Sequence, residues 1–428
     1  MAKKRISIPV FIAVILFACL ITFQITAVAM MAAYGNRDNA PAPSSASNKT
    51  ETESDDKKDD KGGSDFISRV TEKLTELDSE YRKLYIGDID DDALIDGVML
   101  GYIYGTGDDF GEYYNEDEYE QFMSELTGEG EGIGINVIYN DEHDCIEVLD
   151  IFPDSAAADS GLLVGDLIVS VGDEKDPVSE MGYYTAISRL RGKAGTEAVF
   201  TVSRGEEGEL IDFRIVRAPF VEVSVYSHVY GPDPSIGVVK ISGFDGTTPD
   251  QFREAVEELL SSGCDKLILD VRNNPGGELT SIVNTLDYLL PEGPIIRIFD
   301  ADDNLVEQFD SDASHLDVPM AVVVNHSTAS AAELFTAALR DYDMAKVIGT
   351  TTYGKGCMQT TRELDTGGAY SVTYRMFKPP FSESYHKIGI VPDEEVELDP
   401  ALADKNMYKI TDEEDNQLKA AAEALGSD

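Results

Sequence analysis

The sequence predicts a chain in three folded parts: a helical region, a glycine-rich unit of short strands, and an α/β core. Three observations predict this. Apolar residues recur at helical spacing in residues 65 to 127. Glycine clusters and short apolar runs fill residues 128 to 218. From residue 219 onward, apolar strands alternate with amphipathic helices. At 428 residues the chain exceeds one ordinary domain, and 42% hydrophobic residues are enough to build cores. The net charge of −47 repels phosphate and argues against nucleic acid as a partner. Its plain consequence is solubility.

Residues 1 to 34 carry a membrane signal. Lys3, Lys4 and Arg5 precede an apolar stretch from Ile6 to about Ala33, in which Gln24 is the only strongly polar side chain. That length spans a bilayer as a helix, and the basic flank stays in the cytoplasm, so the remaining chain lies outside the membrane. A cleaved signal peptide is the alternative, because small residues near Ala27 to Ala33 offer a cleavage site; the length favours an uncleaved anchor. Residues 35 to 64 read as a linker. Pro41, Pro43, the Ser44-Ser45-Ala46-Ser47 run and the mixed charges from Asp55 to Lys61 cannot bury a core.

Phe66, Val70, Leu74 and Leu77 mark a first helix, Leu94, Val98 and Tyr102 a second, and Glu116 to Leu126 a third, with Asp109-Phe110-Gly111 breaking the pattern. This region is expected to pack and to take no part in chemistry. Next, Gly128 to Gly134 lead into a strand-like Ile135-Asn136-Val137-Ile138 and then Ile146-Glu147-Val148-Leu149. A small helix is expected at Ser155 to Ala158, a strand at Leu167 to Val171, a helix from about Met181 to Leu190, and a closing strand at Ala198 to Val202. Glycines in such a loop expose backbone N–H groups to a terminal carboxylate, and the strand after them can add a peptide as an extra strand. With the Ser160-Gly161-Leu162 turn before Gly165-Asp166, the unit resembles a PDZ domain. That resemblance implies a mainly β fold with two helices, and Gly132, Ile133, Gly134 and Ile135 as the peptide-binding loop, the two isoleucines shaping an apolar pocket.

In the core, strands are expected at Ile236 to Ile241, Lys266 to Val271 and Met320 to Val324. Helices are expected at Pro249 to Ser261 with Thr248 as N-cap, at Leu279 to Leu290, and at Ala331 to Arg340. Ser330 therefore sits at a strand-to-helix turn, and the helix N-terminus beside it suits stabilisation of an anion. Lys355 follows in Tyr353-Gly354-Lys355-Gly356-Cys357. A serine hydroxyl is a weak nucleophile until a base takes its proton. A neutral lysine amine, kept uncharged among glycines and apolar groups, can be that base. The pair makes a candidate Ser-Lys hydrolase.

Bland readings stand beside this one. Ser330 can be an ordinary residue at a helix start, Lys355 a solvated loop lysine, and Gly276 and Gly277 only a tight turn. Ser327 is a competing nucleophile. A Ser-His-Asp arrangement has His143, His228, His315, His326 and His386 to draw on, and His326 lies near Ser330. Cys19 lies in the apolar N-terminal stretch. Cys145, Cys264 and Cys357 form neither a disulfide framework nor a zinc pattern, and none sits in an evident nucleophile turn.

The order of motifs resembles the carboxyl-terminal processing peptidases, the tail-specific S41 serine proteases. The resemblance runs from about residue 65 to 426. It is carried by Arg272-Asn273-Asn274-Pro275-Gly276-Gly277, by Ser330-Ala331-Ala332-Glu333, by Gly354-Lys355-Gly356 and by Gly389-Ile390-Val391-Pro392-Asp393. It implies a ClpP/crotonase-like core over residues 219 to 428 with the PDZ domain inserted before it. It further implies Ser330 as nucleophile, Lys355 as base, Gln359 holding the lysine, and backbone N–H groups of Gly276 and Ala331 as the oxyanion hole. Such chemistry requires no metal or organic cofactor. Departures are Ala332 and Cys357 where serine is frequent, His326 where a small residue is frequent, and Asp108-Asp109-Phe110-Gly111-Glu112-Tyr113 in place of an Asp-Pro-His-Ser type segment.

The resulting expectation is a membrane-anchored, extracytoplasmic endopeptidase that takes protein or peptide substrates by accessible C-terminal tails. A catalytically silent PDZ receptor or scaffold at the cell surface is the other reading. A regulatory protein or a second copy of the chain are partners the sequence leaves open.

Overall fold

A computed structural model of the chain describes residues 61–205, 208–402, 405 and 407–426. The expected anchor at Ile6 to Ala33 lies outside these residues, as does most of the expected linker. Among the described residues, no helix is long and apolar enough to cross a membrane. The chain divides into two compact units, Met1–Asp88 and Ile89–Asp428. In the first, α1 (Lys61–Leu84) begins inside the expected linker and carries exposed ion pairs such as Arg82–Asp78 at one-turn spacing.

The second unit opens with α2 (Asp91–Thr106). The Asp90 side chain caps it by accepting from the N–H groups of Asp92 and Ala93, and Gly107 stops it in the left-handed conformation. A turn leads to β1 (Glu112–Tyr114), and a capping box at Asn115 and Glu118 starts α3 (Glu116–Thr127).

The glycine-rich unit is entered by β2 (Glu129–Gly132) and left by β9 (Ala218–Val221), which pair antiparallel. Between them lie β3 (Ile135–Asn140), β4 (Cys145–Ile151), β5 (Leu167–Val171), β6 (Asp176–Pro177), α4 (Val178–Met181), α5 (Tyr183–Leu190), β7 (Glu197–Arg204) and β8 (Glu209–Val216). The sheet order is β3-β4-β5-β7-β8, so β3 is an edge strand. Ile146, Val148, Ile168, Ala186, Phe200 and Val202 form its core.

Three expectations fail here for local reasons. Ser155 to Ala158 form turns, not a helix: Asp154 has φ +57°, and the Ser155 hydroxyl donates to Gly134 O. The helix expected from Met181 is interrupted at Gly182, with φ +82°. Ala198 to Val202 do not close the unit, because β8 pairs with β7 along its whole length.

The core is a six-stranded sheet of order β10-β11-β12-β15-β16-β19, comprising β10 (Val225–Val229), β11 (Ile236–Ile241), β12 (Lys266–Asp270), β15 (Met320–Val324), β16 (Ala345–Gly349) and β19 (Glu394–Glu395). All its pairings are parallel except β10 with β11. Alternate residues serve opposite faces. Leu267, Leu269, Val322 and Val324 pack with α6 (Thr248–Ser261), α7 (Leu279–Leu289) and α8 (Ala331–Asp341), whereas Ile268, Ala321 and Val323 pack with α9 (Asn416–Gly426). Cover on both faces explains why these strands read as unbroken apolar runs. The N-cap of α6 is Thr247, not Thr248, because the Asp245 carboxylate takes the N–H groups of both threonines.

Beside this sheet, β18 (Ala369–Lys378) pairs with β1, with β13 (Gly293–Phe299) and with β17 (Cys357–Glu363), and β14 (Leu305–Ser311) pairs with β13. A buried ion network holds the chain end in place: Arg272 contacts Asp270 at 2.7 Å and Asp415 at 2.8 Å, and donates to Gln417.

Candidate active site

Three segments leave the carboxyl ends of the adjacent parallel strands β12, β15 and β16. They carry Gly276, Ser330 and Lys355 respectively. The crevice at strand carboxyl ends is where open parallel sheets present their ligand sites.

Buried β15 ends at Val324, and the chain turns sharply into α8. Hydrogen bonds lock this turn to its neighbour. Thr328 Oγ1 donates to Val271 O at 2.8 Å, Ala329 N–H to Asn274 O at 2.9 Å, and Asn325 Nδ2 to Asn273 Oδ1 at 2.7 Å. Ser330 has φ +55° and ψ −116°, a strained conformation for a residue with a Cβ. Strand–turn–helix strain of this kind lifts a nucleophile clear of its sheet. Gly276 abuts it, since a Cβ there would lie 2.7 Å from Ser330 Cβ and 2.9 Å from Ala331 N.

Glu333, on the first turn of α8, is fully buried and binds the serine and lysine segments together. Its carboxylate accepts from Ser330 N–H at 2.9 Å, Lys355 N–H at 2.7 Å, Gly354 N–H at 2.7 Å and Thr352 Oγ1 at 2.5 Å. Burial pushes this carboxyl up, and the four donors pull it partly back. Tyr353 N–H to Thr328 O, and Tyr385 Oη to Ser330 O, add two more links.

The side chain of Lys355 is half-buried, and its Nζ lies over the Phe110 ring, 5.0 Å from the centroid. Among the described residues, no hydrogen bond joins it to Ser330 Oγ or to Gln359. Gln359 instead turns its Nε2 toward Thr373 Oγ1 at 3.2 Å and Cys357 Sγ at 3.4 Å. Gly276 N–H donates to Asn274 Oδ1 at 2.8 Å. Ala331 N–H and Gly277 N–H have no acceptor among the described residues.

No histidine hydrogen-bonds Ser330. His326 is exposed and reaches only Ser327 Oγ, His386 accepts from Gly356 N–H, and His228 pairs with Asp412. Cys145, Cys264 and Cys357 are buried free thiols, and burial raises the pKa of each.

In the glycine-rich unit, Gly132 ends β2 and Ile135 begins β3. Ile133 is 4% exposed and belongs to the core of the unit. Gly134 has φ +76°, and a Cβ there would lie 2.2 Å from Ser155 Cβ. Tyr183 of α5 meets Tyr139 of β3 edge-on at 5.8 Å, which sets the helix beside the edge strand.

Glu333, Asp108, Phe110, Thr373 and Tyr385 received no site role from the sequence. Glu333 carried a signal as the acidic third residue after a helix-starting serine, and Asp108 and Phe110 carried one by standing where the family has an Asp-Pro-His-Ser type segment.

A peptidase family S41 model matches residues 235–396, and a PDZ domain model matches residues 121–202. The carboxy-terminal processing protease CtpA of Bacillus subtilis is 30% identical over 342 residues, covering 78% of this chain and 72% of that protein. A probable CtpA-like serine protease of Staphylococcus saprophyticus is 28% identical over 373 residues, covering 85% of this chain and 73% of that protein. A solved photosystem II D1 C-terminal processing protease is 24% identical, with a TM-score of 0.45, over 83% of this chain and 91% of that one.

Proposed function

We propose, for a chain that belongs to the S41 family of carboxy-terminal processing serine proteases, that Ser330 is the nucleophile and Lys355 the general base. The observation that carries this reading is the Glu333 carboxylate, which binds the backbones of Ser330 and Lys355 with one oxygen, at 2.9 and 2.7 Å. The lysine amine leaves the Phe110 ring on its flexible stem and reaches Ser330 Oγ. It takes the hydroxyl proton as Oγ attacks the scissile carbonyl carbon. The oxyanion meets Ala331 N–H and the Gly276–Gly277 loop, where Gly276 N–H becomes a donor only on release from Asn274. The lysine ammonium then protonates the leaving amine. Water, deprotonated by the now neutral Lys355 amine, attacks the acyl-enzyme, and the lysine returns that proton to Ser330 Oγ as the carboxylic acid product leaves. Gln359 orients the lysine.

The edge strand β3 and the Gly132–Ile135 loop recognise substrate tails by strand addition. The apolar stretch from Ile6 to about Ala33 anchors the chain, with the catalytic part outside the cytoplasm. Recovery of a soluble chain starting near residue 30 from fractionated cells would overturn the anchor.

The central test is cleavage of an unstructured protein by purified variants. Ser330→Ala and Lys355→Ala each abolish cleavage without changing the fold, and the double variant loses little more than either single one, because the two groups act as a unit. Substantial cleavage by folded Lys355→Ala would remove the lysine from the mechanism.

A further inference from the structure

The turn between α2 and β1 reaches the active site, although its sequence showed only a break between two helices and a departure from a family segment, with no role in chemistry. Gly107 ends α2, and Asp108 Oδ1 accepts from Phe110 N–H at 3.1 Å, which closes the turn. β1 then pairs with β18, so the turn is held at both ends.

Asp108 also grips β18 directly. Its Oδ2 accepts from Thr373 N–H at 2.8 Å, and its Oδ1 from Thr373 Oγ1 at 2.8 Å. Thr373 lies directly opposite Gln359 in the β17–β18 ladder, beside a bulge at Tyr374 that brings the two into register. Gln359 Nε2 donates to the same Thr373 hydroxyl.

The direction of these bonds matters. Burial pushes the Asp108 carboxyl up, but hydrogen bonds from Thr373, Phe110 and Gly111 outweigh it and hold the group below the usual carboxylate range. An ionised carboxylate only accepts. The Thr373 hydroxyl therefore gives its single proton to Asp108, and its lone pairs face Gln359. Only the NH2 end of the Gln359 amide can meet them. The Gln359 Oε1 is left without a partner among the described residues, as the acceptor available to a lysine ammonium.

We propose that Asp108 is a positioning residue of this protease: acting through Thr373, it fixes which end of the Gln359 amide is presented to Lys355. The same turn places Phe110 under the lysine amine, so one turn serves both side chains. The proposal rests on the role of Gln359 beside Lys355.

The experiment is a set of double-mutant cycles on the full chain, read as kcat and KM for an unstructured substrate, with urea midpoints for every variant. Asp108→Asn can donate to Thr373 and releases the hydroxyl to point either way. It lowers kcat about 10-fold or more with little change in KM, as expected when a group near the chemistry is misdirected. Thr373→Val does the same, and Thr373→Ser restores most of the loss. In a Gln359→Leu background, Asp108→Asn costs nothing further.

If Asp108→Asn lowers kcat equally with and without Gln359, Asp108 acts by another route and the proposal is overturned. If Gln359→Leu cripples the enzyme while Asp108→Asn does not, the proposal fails and the role of Gln359 survives. If Gln359→Leu is harmless, the role of Gln359 falls and the proposal falls with it. A kcat loss in Asp108→Asn that is matched by a fallen urea midpoint, with Thr373→Ser no more active than Thr373→Val, marks Asp108 as structural and also overturns it.

Discussion

Replacing Glu333 with glutamine changes one atom of the carboxylate and should disable the site. The wild-type carboxylate accepts four hydrogen bonds, two on each oxygen. Glutamine keeps one oxygen and turns an NH2 group toward two of the four donors. Each buried donor left unpaired costs about 1–3 kcal/mol, so the change should cost roughly 2–6 kcal/mol. One effect opposes this, because a neutral amide avoids the desolvation that pushes the carboxyl up. In the carboxyl, that desolvation outweighs the pull of all four bonds, so the relief takes back part of the loss and the cost lies toward the lower end of that range. Thr352→Val keeps the carboxylate but removes one donor to it and the acceptor of Ile390 N–H, so it should cost about 2–4 kcal/mol. Urea unfolding measured in the inactive Ser330→Ala background, free of self-cleavage, reads these differences. In the active background kcat/KM should fall about 100-fold, because the segments bearing Ser330 and Lys355 lose their common tie. A Glu333→Gln protein with full activity and a stability within about 0.5 kcal/mol of wild type would refute the reasoning.

Glu222, half-buried just after β9, is pushed up to about 7 by burial and by the negative charges of Asp245 and Glu125. A carboxyl raised on folding contributes stability that is fully present below its ordinary value of 4.5 and lost as pH rises through about 7. Glu222→Gln should therefore match wild type near pH 4 and exceed it at pH 8 by up to roughly 3 kcal/mol; equal urea midpoints at both pH values would contradict this. Gly276→Ala places a Cβ 2.7 Å from Ser330 Cβ at a φ of +107°, so peptidase activity should drop at least about 100-fold, and a fully active variant would show that this contact does not shape the oxyanion site. Amidating a substrate's C-terminus removes the charge that the Gly132–Ile135 loop would bind and should slow cleavage of a tail peptide; equal rates for acid and amide would leave the domain as a lid or a docking surface. Gly134→Trp is a poor probe of that groove, because any side chain there meets Ser155 first.

Periodicity and motif order alone determined the α/β core, the glycine-rich strand unit and the serine, lysine and double-glycine segments. Such signals are local: strands buried on both faces must be apolar throughout, and a strand that turns into a helix needs small residues at the turn. The β15 run and the start of α8 were legible for that reason. Short-range geometry set by distant partners was not. Ser155 to Ala158 look helical in sequence, but the bond from Ser155 to Gly134 O holds them as turns. Ile133 was expected to shape a pocket, and the bend between β2 and β3 packs it into the core of the unit. Only the tertiary structure decided the contacts that join separate motifs: Glu333 between the serine and lysine segments, Ala329 N–H on Asn274 O, and Asp108 reaching Thr373 from 265 positions away. A hydrogen bond between residues so far apart leaves no periodicity behind. It is created when strands align, which is why a turn expected to take no part in chemistry proved to stand against Lys355 and Thr373.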